Sequence, residues 1–166
     1  MNSLILISPY KREALNQFFP VSAVSVDRNL FKIRVLIMLV KRILVIDDEQ
    51  NLCSVIQACL EHLGGWSVVI ASNAQQGLLL AETEVPDAIL LDVMMPNMDG
   101  VTLFGLLQKN ATTRGIPVIF LTAKVQAMDM SEFADLGVAG VIAKPFDPLD
   151  LAQQVAEILG WESFDS

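Results

Sequence analysis

The chain has 166 residues, 53% of them hydrophobic and 18% charged, which is enough to bury one core and too apolar for a disordered segment, so a single domain is expected. Its charge of −8 is uneven: residues 1–37 carry five basic side chains (Lys11, Arg12, Arg28, Lys32, Arg34) against two acids (Glu13, Asp27), a net of +3, leaving −11 for residues 38–166. An acidic body of that size argues against a phosphate-reading nucleic-acid surface and suits a cation or a basic protein patch.

At the N-terminus, "LILI" is too short for the roughly 7–15 apolar residues of a secretory signal and no charge precedes it. "VLIMLV" is cut off by Lys41 and Arg42, well short of the roughly 20 residues of a membrane span. Met38 stands directly before "LVKRILVIDD", so the functional product is expected to begin near Met38. Residues 1–37 are then an extension or an over-extended start, the rival being a basic targeting or docking arm. Residues 162–166 form a short tail. Cys53 and Cys59, six apart with no second pair, fit neither a disulfide framework nor a zinc site, and a reduced, cytoplasmic location is the simpler reading. His62, the one histidine, reads as a surface or helix-end residue rather than a metal ligand.

From residue 42 onward, short apolar runs alternate with longer periodic segments. The runs are "ILVI" (43–46), "WSVVIA" (66–71), "DAILLD" (87–92), "PVIFLT" (117–122) and "AGVIA" (139–143). Several are nearly continuous in Val, Ile and Leu, as parallel strands covered on both faces are. The intervening segments 51–63, 73–83, 100–109, 126–136 and 148–159 are long enough for helices. Ser72, Asp99 and Asp147 are read as N-caps, with Pro148 at a first helical position, and Gly64, Gly137 and Gly160 as left-handed C-caps. Strict alternation with short loops predicts an α/β fold, a doubly wound five-stranded parallel sheet with helices on both faces. Cys53, Cys59, Phe104, Phe120 and Phe133 are assigned to structure.

Ligands of such sheets bind outside the carboxyl ends of the strands. The first strand ends in Asp47 and Asp48, the third in Asp92, the fourth in Thr122 and the fifth in Lys144. Three carboxylates drawn together raise one another's pKa unless compensated, and a hard divalent cation, Mg2+, resolves the conflict through the oxygen ligands it prefers. Metal, ammonium and hydroxyl around one carboxylate suit phosphoryl transfer, in which an aspartate can be the nucleophile. Each residue also has a plain reading as a helix cap, turn residue or solvated charge. Four strand ends with complementary chemistry outweigh those separate readings.

The segments "ILVIDDE", "DAILLDVMMPNMDG", "IPVIFLTA" and "VIAKPFD" resemble, in order, the signature segments of the receiver domain of two-component response regulators, across residues 42–160. The resemblance places a receiver domain at 38–161 with a flavodoxin-like (βα)5 fold and strand order 2-1-3-4-5. It implies that Asp92 accepts a phosphoryl group from a histidine kinase, and that Asp48, Asp92 and the Met94 carbonyl bind Mg2+ while Asp47 acts largely through water. It further implies that Thr122 hydrogen-bonds a phosphoryl oxygen, that Lys144 pairs with the phosphoryl group, and that the Lys144–Pro145 peptide is cis. Partners would be a histidine kinase or phosphotransfer protein, and a downstream protein meeting the 126–159 face.

Val141 departs from the family pattern, which has Tyr, Phe or His three residues before the lysine, and puts a ring-based readout in doubt. The resemblance also implies that Met94 and Lys124, two residues after Asp92 and Thr122, flank the path of an attacking water. With only "ESFDS" after Trp161, a stand-alone receiver that catalyses only its own phosphorylation and dephosphorylation is expected. The alternatives are a degenerate receiver that binds partners without phosphorylation, and an aspartyl-phosphate phosphatase. The second fits poorly, because Met94 stands where an acid would protonate the leaving group. Glu49 is read as a first-turn helix charge.

Overall fold

The computed structural model describes residues 40–123, 133 and 135–161. The expectations for residues 1–37, the start at Met38, Lys124, most of the 126–136 helix and the tail lie outside them. The chain divides into two units, Met1–Val40 and Lys41–Ser166, and the fold below is that of the second.

Five strands, β1 (Arg42–Ile46), β2 (Ser67–Ala71), β3 (Ala88–Asp92), β4 (Val118–Thr122) and β5 (Gly140–Ala143), form one sheet. The order is 2-1-3-4-5 and every pairing is parallel, as expected. Among the described residues four helices accompany them: α1 (Gln50–His62), α2 (Ala74–Glu84), α3 (Gly100–Lys109) and α4 (Leu151–Leu159).

The continuous apolar runs follow from two separate cores. In β1, Leu44 and Ile46 join Ile89, Leu91 and Phe120 on one face, covered by Leu103 and Leu107 of α3 and Ala74 and Ala81 of α2. Ile43 and Val45 join Leu90, Ile119 and Leu121 on the other, covered by Ile56 and Leu60 of α1 and Leu151 and Val155 of α4. Alternate side chains point to opposite faces, so a strand buried on both sides has no polar phase. Burying each such Leu, Ile or Val stabilises the fold by about 1.5–3 kcal/mol.

Three cap positions are corrected. The N-cap of α2 is Asn73, not Ser72: Asn73 accepts from the Gln76 N–H, while the Gln76 side-chain oxygen accepts from the N–H and hydroxyl of Ser72. Asp147 does not start α4. Its carboxylate and carbonyl accept from the N–H groups of Leu149 and Asp150 in a preceding turn, and the helix begins at Leu151 after Asp150. The left-handed residue after α1 is Gly65, φ 63°, rather than Gly64, where a Cβ would stand 2.6 Å from the Trp66 ring and 2.7 Å from the Leu60 carbonyl oxygen. Asp99 caps α3 through the Thr102 N–H, and Gly137 and Gly160 are left-handed as expected. The helix-end position of His62 also holds, its Nδ1 2.9 Å from the Ala58 carbonyl oxygen.

One glycine ties the fold to the strand ends. A Cβ on Gly100 would lie 2.3 Å from the backbone oxygen of Asp92, and the Gly100 N–H donates to the Val93 carbonyl at 2.9 Å. The start of α3 is therefore pressed against the end of β3. Gly100→Ala is expected to lower stability by about 1–3 kcal/mol through overpacking against backbone, read as a lower urea midpoint at unchanged m-value.

Candidate functional site

Parallel register brings all the carboxyl ends of the strands to one edge. Ile46 pairs with Leu91, Asp92 with Leu121 and Thr122 with Ala143, so the residues at or just past those ends fall side by side. Backbone bonds continue the alignment past the strands, from Asp47 N–H to Ala71 O at 3.1 Å, Val93 N–H to Leu121 O at 3.0 Å and Lys144 N–H to Thr122 O at 2.8 Å. The Lys144–Pro145 peptide is cis, as the resemblance implied.

One oxygen from each of Asp47, Asp48 and Asp92 lies within 4.8 Å of the others. Asp47 is wholly buried, Asp92 and Thr122 are buried, and Asp48 is exposed. The Lys144 ammonium stands 2.6 Å from Asp47 Oδ2 and 3.3 Å from Asp92 Oδ1. Asp47 Oδ1 accepts the Glu49 N–H at 2.9 Å, so both of its oxygens are engaged. On Asp92 the contacts from Lys144 and from the Met94 N–H, each at 3.3 Å, fall on Oδ1 and leave Oδ2 for an incoming group. Met94 itself is 54% exposed at the mouth.

The electrostatics follow these distances. Burial pushes the Asp92 carboxyl above its ordinary value, against the pull of Lys144 and with the repulsion of Asp47 behind it. Burial also works against the charge of Lys144, but the hydrogen bond and charge of Asp47, then Asp92, outweigh it and hold the lysine above its ordinary value. The lysine gives its shorter contact to Asp47, so Asp92 stays under-compensated. Cys53, beneath the site with its Sγ donating to the Asp47 carbonyl at 3.4 Å, is pushed up to about 11 by burial and then by Asp47. It is a closed thiol in the floor of the pocket.

The oxygen-only donor set, more anionic than Lys144 can balance, fits a hard divalent cation. The structure brings Asp47, Asp48, Asp92, Thr122 and Lys144 together, and places Met94 beside Asp92. It corrects Glu49, which is the N-cap of α1 rather than a first-turn residue and makes no side-chain cap bond. The Glu49 carboxylate turns instead to Lys144, 3.7 Å away. The clue in the sequence was its adjacency to Asp47 and Asp48; its partner is 95 positions away and gave no local signal. Beside the pocket, a groove of about 320 Å³ is bordered by Glu49, Leu52, Val55, Lys144, Pro145 and Phe146.

Among the described residues no helix is long and apolar enough to cross a membrane. Comparison with known proteins agrees with the geometry. The chain is 38% identical over 119 residues to the alkaline phosphatase synthesis transcriptional regulatory protein PhoP of Bacillus subtilis, covering 72% of this chain and 48% of that protein. It is 32% identical over 124 residues to the response regulator Rre1 of Synechocystis, covering 75% of this chain and 54% of that one. The chain thus spans about half the length of these curated relatives. Among solved structures, a putative response regulator of Chloroflexus aurantiacus superposes with a TM-score of 0.65 at 28% identity, over 73% of this chain and 98% of that one. The receiver domain of the sensor histidine kinase PA1611 of Pseudomonas aeruginosa, solved with a magnesium ion coordinated in its active-site cleft, gives 0.65 at 29% identity over the same shares. The profile of the response regulator receiver domain matches residues 43–156, and the chain belongs to that family.

Proposed function

We propose that this receiver accepts a phosphoryl group on Asp92 from the phosphohistidine of a histidine kinase or phosphotransfer protein, and signals through a protein partner. The observation that carries the reading is the division of Lys144 between Asp47 at 2.6 Å and Asp92 at 3.3 Å, with both contacts to Asp92 on Oδ1, so that among the described residues its Oδ2 is left for an incoming group. Attack of Asp92 Oδ2 on phosphorus forms the acyl phosphate as the phosphorus–nitrogen bond breaks, and the electron pair returns to the imidazole of the donor. Lys144 and the Thr122 hydroxyl are the groups placed to receive the phosphoryl oxygens. Mg2+, held by Asp48, Asp92 and the Met94 carbonyl, would neutralise charge on those oxygens. Asp47, with both oxygens engaged, suits contact with the metal through water.

The relative solved with magnesium in its cleft supports this ligand chemistry. Output is assigned to the 126–159 face, of which β5 and α4 are described, with the switching pull exerted on Thr122 and its loop. A phosphatase acting on small substrates is disfavoured, since Met94 rather than an acid follows Asp92 at the leaving-group position. The acids of the pocket disfavour a degenerate receiver.

Acetyl phosphate with Mg2+ is expected to add one base-labile phosphoryl group, seen by intact mass, and Asp92→Asn to abolish it. Equal labelling of that variant would sink the assignment. Lys144→Ala is expected to keep labelling while phosphorylation loses its effect on partner affinity, checked by titrating the partner against both forms. A raised carboxyl favours the folded state below its unfolded pKa, and that contribution is lost as pH rises through the folded value. Ionised Asp92 therefore destabilises the metal-free protein at neutral pH. Asp92→Asn should raise its melting temperature by about 3 °C, with the gain shrinking as pH falls through the carboxylate range.

A further inference from the structure

Glu49 is not used by the chemistry above, yet its position is set by it. Its backbone N–H is held by Asp47 Oδ1 at 2.9 Å, so its Cα is fixed relative to the pocket even though the side chain is 65% exposed. As the N-cap of α1 it could accept from the free N–H groups of the first turn, and it does not. It stands 3.7 Å from Lys144, whose ammonium also meets Asp47 and Asp92. Three carboxylates then surround one ammonium, and Asp48 adds a fourth acid to the same cluster through its closeness to Asp47 and Asp92. Glu49 is also the one acid among the described residues bordering the groove beside the pocket, where Leu52, Val55, Pro145 and Phe146 are its apolar neighbours.

We propose that Glu49 is a charge-setting residue of the phosphoryl site, strengthening capture of a divalent cation and opposing entry of small anionic phosphodonors. The inference rests on the phosphoryl-acceptor reading. A fixed negative charge at the mouth attracts Mg2+ and repels a free acyl phosphate by the same Coulomb law. Neutralising it must move the two properties in opposite directions. A merely structural role in starting α1 would instead damage both together. Because the carboxylate is exposed, the effect is moderate and is screened by salt. A phosphohistidine carried by a protein can offset the repulsion with contacts of its own, whereas a small donor cannot. Glu49 thus selects for donors delivered by a partner.

The test uses the full chain and Glu49→Gln, with Glu49→Asp as the conservative variant. Mg2+ affinity is measured by calorimetry, and the initial rate of acetyl phosphate labelling at saturating Mg2+. Glu49→Gln is expected to weaken Mg2+ binding about threefold and to accelerate labelling about threefold at low ionic strength, both differences fading in roughly 0.5 M salt. Glu49→Asp is expected to stay near the wild type in both. Unchanged Mg2+ affinity in Glu49→Gln, or a fall in affinity and labelling rate together, overturns the proposal. If the wild type takes up no phosphate at all, the phosphoryl-acceptor reading is what fails, and the Mg2+ titration still decides the role of Glu49 in cation capture.

Discussion

The carboxyl edge of the sheet depends on one ammonium. Asp47 has no solvent exposure and Asp92 almost none, and burying an ion costs several kcal/mol unless it is paired. Lys144 supplies that pairing from β5, the strand at the far edge of the sheet, while Asp47 follows β1 near its centre, with β3 and β4 between them. The contact spans 97 positions of sequence and ties the last strand to the first. It does so incompletely, because one positive charge cannot balance both buried carboxylates, and that shortfall is what the proposed divalent cation would offset.

The fold was legible where burial leaves no choice. β1, β3 and β4 are each packed into two cores, so almost every residue had to be apolar and the runs were visible as runs. Helix boundaries were less legible because adjacent residues offered the same chemistry. Ser72 and Asn73 are both good caps, and Asn73 takes the position because the Gln76 side chain already occupies the Ser72 N–H and hydroxyl. Gly64 and Gly65 are identical in sequence, yet one is needed for space against Trp66 and the other for its positive φ. A pattern of residue types cannot separate those reasons.

The site divides in the same way. That strand ends carry Asp47, Asp48, Asp92, Thr122 and Lys144 could be read directly, since parallel strands align their ends. Which acid is buried could not, because Asp47 and Asp48 are neighbours of the same chemistry: Asp47 turns inward to Lys144 and the Glu49 N–H, and Asp48 stays exposed. Glu49 shows the limit most plainly. Local rules make it a helix-start charge, and a lysine 95 positions away in sequence gives it a different partner.

The packing around β4 constrains how a signal could leave the pocket. Val141 pairs with Phe120 across β4 and β5, so the strand position where the family usually carries a ring has none. The aromatic mass lies one strand inward: Phe120 is fully buried, with Phe104 and Phe133 in edge contact at 5.7 and 5.6 Å. A ring enclosed on both sides in a close-packed core has no free volume to swing through. Phe120 sits two residues before Thr122 on the same face of the strand, so it anchors the strand beneath the hydroxyl rather than moving with it. Under the proposed function, a readout would therefore start at the Thr122 hydroxyl rather than at a swinging ring. Its strength would be bounded by how differently a partner binds the phosphorylated and unphosphorylated forms.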